Sequence, residues 1–162
     1  MENRRVVFSP SIRAWADAIA DDLVGEYQYG YCSVLLYDGS VDGLRLVGHR
    51  LATGDDAPDV PIGETVVPLD SVTGSVFRTG SPALLSDVRS HPSYRALPGT
   101  RPGSELAVPL VHDGRPIGAL NVESPRVGGL GIEDLERLLR AAKRAAASYP
   151  GEPDDPVAPA EP

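Results

Sequence analysis

Residues 104–124 read SELAVPLVHDGRPIGALNVES. Glu105 to His112 and Arg115 to Glu123 are strand-like runs, and Asp113-Gly114 between them is the favoured two-residue hairpin turn, because both of its positions need a positive φ. A hairpin here makes neighbouring strands antiparallel, which decides the class of fold. Its second strand carries Asn121 and Glu123 two residues apart, hence on one face of a sheet.

Upstream, Tyr31-Cys32-Ser33-Val34-Leu35-Leu36-Tyr37 is apolar on both faces, as a central strand should be. Asp38 to Gly43 turns it into a partner strand, Leu44 to His49. Residues 52–64, rich in Gly, Asp and Pro, read as a loop, and Val66-Val67-Pro68-Leu69 fits a short edge strand where proline is tolerated. Asp70 or Ser71 caps a short helix carrying Val72, Val76 and Phe77 that Gly80 closes. Ala83 to Ser86 is another short strand, and His91 to Pro102, with three prolines, reads as a surface loop containing a helical turn. Two longer helices bracket these elements. Ser9-Pro10 opens the first, Ile12, Trp15, Ala16, Ile19, Ala20 and Leu23 recur at helical spacing, and Gly25 supplies a stop. Ile132 to Ser148 forms the last, acidic early at Glu133, Asp134 and Glu136, and basic late at Arg140, Lys143 and Arg144, as the helix dipole favours. Its apolar stripe is Leu135, Leu138, Leu139, Ala142 and Ala146.

The order specifies an α+β fold, with a mostly antiparallel central sheet of about six strands and helices packed against it. The 162 residues fit one domain. Residues 150–162 (PGEPDDPVAPAEP) hold five prolines, four carboxylates and no base, the composition of a disordered acidic tail. Residues 1–9 read as an N-terminal extension and 10–149 as the domain. Lys and Arg total 15 against 23 Asp and Glu, a formal charge of −8 that speaks against a phosphate-backbone binder, so no nucleic-acid partner is expected. The longest apolar runs fall far short of the ~20 residues needed to cross a bilayer, so no membrane partner is expected either. The start lacks a basic-then-apolar signal pattern. A single cysteine, Cys32, excludes an internal disulfide and clustered-cysteine metal sites, and a cytoplasmic location is the default expectation.

Thr79-Gly80-Ser81-Pro82, Ser86-Asp87-Val88 and Pro92-Ser93-Tyr94 resemble, in this order, the middle of a GAF domain. Ser104 to Leu110 followed by Pro116 to Ser124 resembles its closing hairpin, and Ile132-Glu133-Asp134-Leu135 the start of its last helix. The resemblance covers roughly residues 10 to 148. The compositional bias towards Ala, Gly, Arg, Asp and Pro points to a high-GC bacterial genome. The resemblance implies a small-molecule-sensing or regulatory module of signal transduction. It implies terminal helices on one side of the sheet that form a homodimer bundle, short helices and loops over a pocket on the other, and a signalling protein partner for output. The motifs leave the ligand and any cofactor unknown. Carried over residue by residue, Glu105, Asn121 and Glu123 are candidate ligand contacts, and Asp87, Tyr94 and Arg95 belong to the loop over the same face. Carboxylate and amide groups suit a ligand amine or hydroxyl, and Arg95 suits a carboxylate or phosphate. The competing readings put Glu123 in water at a strand end, Asn121 on a turn, and Arg95 in a pair with a nearby aspartate.

One catalytic branch of the family, free methionine-(R)-sulfoxide reductase, needs a nucleophilic and a resolving thiol. Its cysteine positions correspond to Thr73-Gly74 and the Pro98-Gly99-Thr100 stretch of this chain, so no catalytic residue is expected. Cys32 sits mid-strand, where a thiol behaves as a small buried hydrophobe; a redox-sensor reading requires it exposed and acidic. His49, His91 and His112 lack metal-ligand spacing, so no metal is expected. The Asn-Lys-Phe-Asp-Glu signature of the cyclic-nucleotide branch and the Cys-His bilin anchor are absent, and haem would leave only His91 as a loop ligand. Gly128-Gly129-Leu130-Gly131 has neither Walker nor dinucleotide spacing, and no Gly-x-Ser-x-Gly elbow occurs. The alternative to a sensor is a ligand-free scaffold that acts through a partner on the faces around Trp15 and Leu138.

Overall fold

The computed structural model describes residues 5–27, 29–52, 61–96 and 100–151. Its elements run α1 (Pro10–Tyr27), β1 (Tyr31–Asp38), β2 (Gly43–Leu51), β3 (Val66–Pro68), α2 (Val72–Thr79), β4 (Ala83–Leu85), a 3-10 turn (Val88–Ser90), β5 (Ser104–His112), β6 (Arg115–Ser124) and α3 (Ile132–Ala147). The six strands form one sheet in the order β3-β2-β1-β6-β5-β4, antiparallel at every pairing. The α+β architecture is as expected, with β1 and β6 at its centre and two three-residue strands at its edges.

The period-2 alternation of the strands sorts their side chains into two layers. Cys32, Val34 and Leu36 of β1, Leu106, Val108 and Leu110 of β5, and Leu120 and Val122 of β6 belong to the core that includes Trp15, Ala16 and Ala20 of α1 and Leu138, Ala142 and Ala146 of α3. The Trp15 indole N–H donates to the Ala145 carbonyl at 2.9 Å, tying the terminal helices together. A Cβ on Gly48 would come within 3.1 Å of Ala16, so that glycine admits α1 close to the sheet. Leu35, Leu44, Leu46 and Ala119 form the second core on the opposite face, with Val67, Leu69 and Phe77 packed on it. The helical stripe of α3 is narrower than its sequence suggests, because Leu139 stays 38% exposed.

Helix boundaries follow local chemistry where a cap is present. The Ser71 hydroxyl accepts the Gly74 N–H at 3.0 Å, and Gly80 ends α2 with a φ of 74°. Gly25 does not end α1, which continues to Tyr27: a glycine stops a helix by adopting positive φ, and Gly25 does not. Among the described residues a helical turn stands at Val88–Ser90, just before the loop in which the sequence predicts one, and Asp87 caps it; residues 97–99 of that loop lie outside the described residues. Val6 and Phe8, assigned by sequence to an extension, are buried in the helix-side core, and the Val6 N–H donates to Gly63 O at 3.0 Å. The residues read as a tail, from 152 on, lie outside the described residues, as do residues 53–60 of the Gly-rich loop.

Two irregularities set the registers. β1 and β2 shift at Val34/Leu35, which leaves Val47 with the helix-side core. In the β5–β6 hairpin His112 faces Arg115 and Val111 faces Pro116, but Leu110 faces Gly118. Ile117 is thus an extra residue, a bulge that advances the pairing by one. Counted straight back from the turn, Glu105 would oppose Val122; after the bulge it opposes Glu123.

A buried ion pair closes the β1–β2 end. Arg45, 1% exposed, donates to the Asp38 carboxylate and to Gly63 O at 2.9 Å, and Asp38 also accepts from the Ser40 N–H at 2.9 Å and hydroxyl at 2.6 Å. Burial alone would raise the Asp38 pKa; the Ser40 and Arg45 hydrogen bonds outweigh it and hold it below the usual carboxylate range. Asp38→Ala removes a buried carboxylate from the Arg45 guanidinium and should cost about 3 kcal/mol, read as a lower urea midpoint. The wild-type contribution is present above ordinary carboxylate pKa values and is lost as the pH falls through the depressed one.

Candidate functional site

On the face of the sheet opposite the terminal helices, the registers assemble a polar array. Glu105 of β5 opposes Glu123 of β6, which opposes Tyr31 of β1. One step along, Asn121 opposes Ser33, which opposes His49 of β2. Helix α2 and the segment after the 3-10 turn cover this array, and Ser33, Ser71, Thr73, Arg95, Glu105, Asn121 and Glu123 line a cleft there with Leu35, Val67 and Val72. It encloses about 20 Å³ of free space, room for one water.

Glu105 is 3% exposed and Glu123 4%. Oε1 of Glu105 accepts the Thr73 hydroxyl at 3.2 Å and an amide N–H of Asn121, which also reaches Thr73 Oγ1 at 3.4 Å. Oε1 of Glu123 accepts the Tyr94 hydroxyl at 3.2 Å. The second oxygen of each carboxylate, Oε2, has no hydrogen-bond partner, nor does the Ser33 hydroxyl. Three buried polar oxygens on one small cleft are an unsatisfied arrangement, and such groups cost free energy until something meets them.

The electrostatics reflect the same deficit. Burial pushes Glu105 up to about 7 against the hydrogen bonds from Thr73 and Asn121. Burial, then the Glu105 charge, push Glu123 up to about 8 against the Tyr94 hydrogen bond. Tyr94 and Tyr31 are raised by burial first and by Glu123 next. The Tyr31 hydroxyl lies 3.1 Å from His49 Nδ1, and burial, then Arg50 and Arg13, lower the His49 pKa, which favours the neutral ring.

Of the residues picked from sequence, Glu105, Asn121, Glu123 and Tyr94 meet at the cleft. Arg95 stands exposed at its rim, its Nη1 donating at 3.1 Å to the carbonyls of Pro92 and Tyr94, not to an aspartate. Asp87 is not among the residues lining the cleft: it caps the 3-10 turn, accepting the Arg89 N–H at 3.0 Å and pairing with the Arg89 guanidinium at 2.9 Å. Glu123 and Asn121 are buried, contrary to the solvated reading. Sequence reasoning missed Thr73, Ser33, Tyr31 and His49. Ser33 was accessible from the alternation of β1; Thr73 carries no local signal, since only the docking of α2 brings it to Glu105.

The remaining features lie elsewhere. Cys32 is on the helix side, fully buried, its thiol donating to Ala20 O at 3.3 Å and pushed up to about 12 by burial. A larger open cleft of about 470 Å³ runs between α1 and α3, lined by Trp15, Ile19, Leu23, Ala141, Arg144 and Ala145 among others. Among the described residues no three His, Cys, Asp or Glu side chains are placed to hold a metal, and no helix is long and apolar enough to cross a membrane.

The GAF domain family profile matches residues 9–148. No curated protein sequence matches the chain. Among solved structures, the GAF domain of a phosphoenolpyruvate-protein phosphotransferase from Coxiella burnetii is similar at a TM-score of 0.72 and 17% identity, covering 86% of this chain and 82% of its own. The free methionine-R-sulfoxide reductase of Neisseria meningitidis, solved with its substrate, gives 0.69 and 23%, covering 90% and 94%. The GAF-B domain of DevS from Mycobacterium smegmatis gives 0.63 and 19%, covering 84% and 90%. At these identities the likenesses speak for the fold.

The raised carboxyls make stability depend on pH. Their contribution is complete below the unfolded value of about 4.3 and is lost as the pH rises through their folded values. The melting temperature of the ligand-free protein should therefore fall between mildly acidic and mildly alkaline buffer. The double variant Glu105→Gln/Glu123→Gln should flatten that slope in differential scanning calorimetry.

Proposed function

This chain belongs to the GAF domain family, and on that premise we propose that it is a sensory or regulatory module of signal transduction that binds a small molecule on the Glu105–Asn121–Glu123 face. One observation carries the reading: Ser33 Oγ, Glu105 Oε2 and Glu123 Oε2 are buried around one cleft without partners. All three accept hydrogen bonds, so the complementary ligand group is a donor, an amine or a hydroxyl. The reading is non-catalytic. Sulfoxide reduction through a disulfide needs two thiols, and the chain has one, on the far side of the sheet. At the position where that branch carries a cysteine, Thr73 hydrogen-bonds Glu105.

Signal output through the terminal helices fits the same picture. The cleft between α1 and α3 presents Trp15, Ile19 and Ala141 beside Arg144 and Asp22, a surface suited to a second copy of the chain or a signalling protein in the cytoplasm. A second reading, a ligand-free interaction module, is favoured by the narrowness of the polar cleft, whose free space of about 20 Å³ is less than a whole ligand needs. In the sensor reading the segment around Tyr94 and Arg95 must move outward.

Native mass spectrometry of protein purified from a related host separates the two. A sensor retains a small mass that denaturation releases and that Glu105→Ala/Glu123→Ala abolishes; a mass-free dimer that captures a defined protein partner supports the interaction module. Cys32 should resist a thiol reagent in the folded state, reacting at least about a hundredfold more slowly than in denaturant, as a buried thiol does. Rapid native labelling would revive redox sensing.

A further inference from the structure

We propose that Glu105 and Glu123 hold one proton between them while the cleft is empty and release it to solvent when a cationic ligand group enters, so that the site exchanges one monocation for another. The proposal rests on the reading of this face as a ligand site and adds what the ligand carries and what controls its entry.

Register, not proximity alone, imposes the sharing. Directly opposite residues on antiparallel strands hold their Cβ atoms about 5 Å apart, and like charges in that relation repel. Glu105 and Glu123 stand in this relation at 3% and 4% exposure. Among the described residues no element around them supplies a buried counter-ion. From α2 the cleft receives Ser71 and Thr73, from β1 Ser33 and Tyr31, from β4 the uncharged Leu85 opposite Glu105, and from the covering segment Tyr94 and Arg95. His49 stands one step further, against the Tyr31 hydroxyl. Among the described residues Arg95 is the one cation lining the cleft; it is exposed, and its Nη1 donates to two backbone carbonyls. Two buried carboxylates so placed cannot both ionise, and they titrate as a pair. Burial raises both groups, and the Glu105 charge adds to the rise of Glu123.

A primary ammonium answers this site. It has three N–H donors and no acceptor, against three unpartnered acceptors, Ser33 Oγ and the two Oε2 atoms. Its entry with loss of the shared proton leaves the site's charge at minus one throughout: one carboxylate and one carboxylic acid before, two carboxylates and one ammonium after. A neutral hydroxyl cannot displace the proton in this way. The free space of about 20 Å³ fits the head group alone, with the rest of the ligand towards Arg95. Protons and ligand thus compete, and affinity should drop about tenfold per pH unit below the midpoint of the pair.

The test uses the full chain with methylammonium chloride as probe and sodium chloride as control. Carbon-13 NMR of the glutamate side chains in the empty protein should show a carboxyl that titrates near or above neutrality, and Glu105→Gln should lower the Glu123 titration by removing the neighbouring charge. Methylammonium should raise the melting temperature several-fold more at pH about 8 than at about 6, and the double variant Glu105→Gln/Glu123→Gln should remove that dependence. If both glutamates titrate as ordinary carboxyls, the exchange is overturned, while a pH-independent methylammonium shift would leave the ligand site standing. If the pair holds its proton but methylammonium never stabilises, the exchange is overturned and the cation reading of the cleft falls with it.

Discussion

Glu105 meets Glu123 because one residue of β6, Ile117, is extra to the ladder that starts at the Asp113-Gly114 turn. Side chains on a strand alternate, so a shift of one residue moves every one of them to the other layer. Without it, Glu105 would share a layer with Val122, and either the carboxylate or the valine would face the wrong core. With it, Leu106, Val108, Leu110, Leu120 and Val122 all join the core that holds the terminal helices, and Glu105, Asn121 and Glu123 all line the cleft on the other face. The bulge also lets Ile117 itself enter the helix-side core. Gly118 beside it is obligatory, since a Cβ there would fall 1.9 Å from the Leu35 carbonyl of β1.

The two layers treat charge differently. On the helix side the molecule buries Asp38 and supplies Arg45 and Ser40 to meet it, so the carboxyl is held ionised. On the α2 side it buries two carboxyls opposite each other with a threonine, an amide and a phenol as donors, leaves one oxygen of each unmet, and both are driven towards protonation. A buried ion pair at a strand end can be structural; two like groups without a counter-ion are a local conflict of the kind folds keep at functional sites. The helix-side core, with Trp15 bridging α1 to α3, supplies the packing against which that conflict is held.

The strands, the α2 caps and the terminal helices were legible in the chain because each rests on short-range chemistry: alternation in β1, Ser71 and Gly80 around α2, the Asp-Gly turn, the apolar stripe of α1. Glu105, Asn121 and Glu123 were legible only through likeness to a family, and that likeness also brought in Asp87, whose carboxylate belongs to Arg89. Gly25 read as a stop because sequence shows a glycine and not its φ. Thr73, Tyr31 and His49 were missed because each comes from a different element than its partner.

Propensity, capping and period act within a few residues, so most of the elements, their antiparallel class and the division of the strands into apolar and polar residues can be read along the chain. That Glu105 lies opposite Glu123, that Thr73 and Tyr94 each hold one oxygen of that pair, and that Ser33 lines the cleft with them emerges from the fold as a whole. Those relations depend on a one-residue bulge and on the docking of α2 and the covering segment, and such long-range register is chosen by the packing of whole layers against one another.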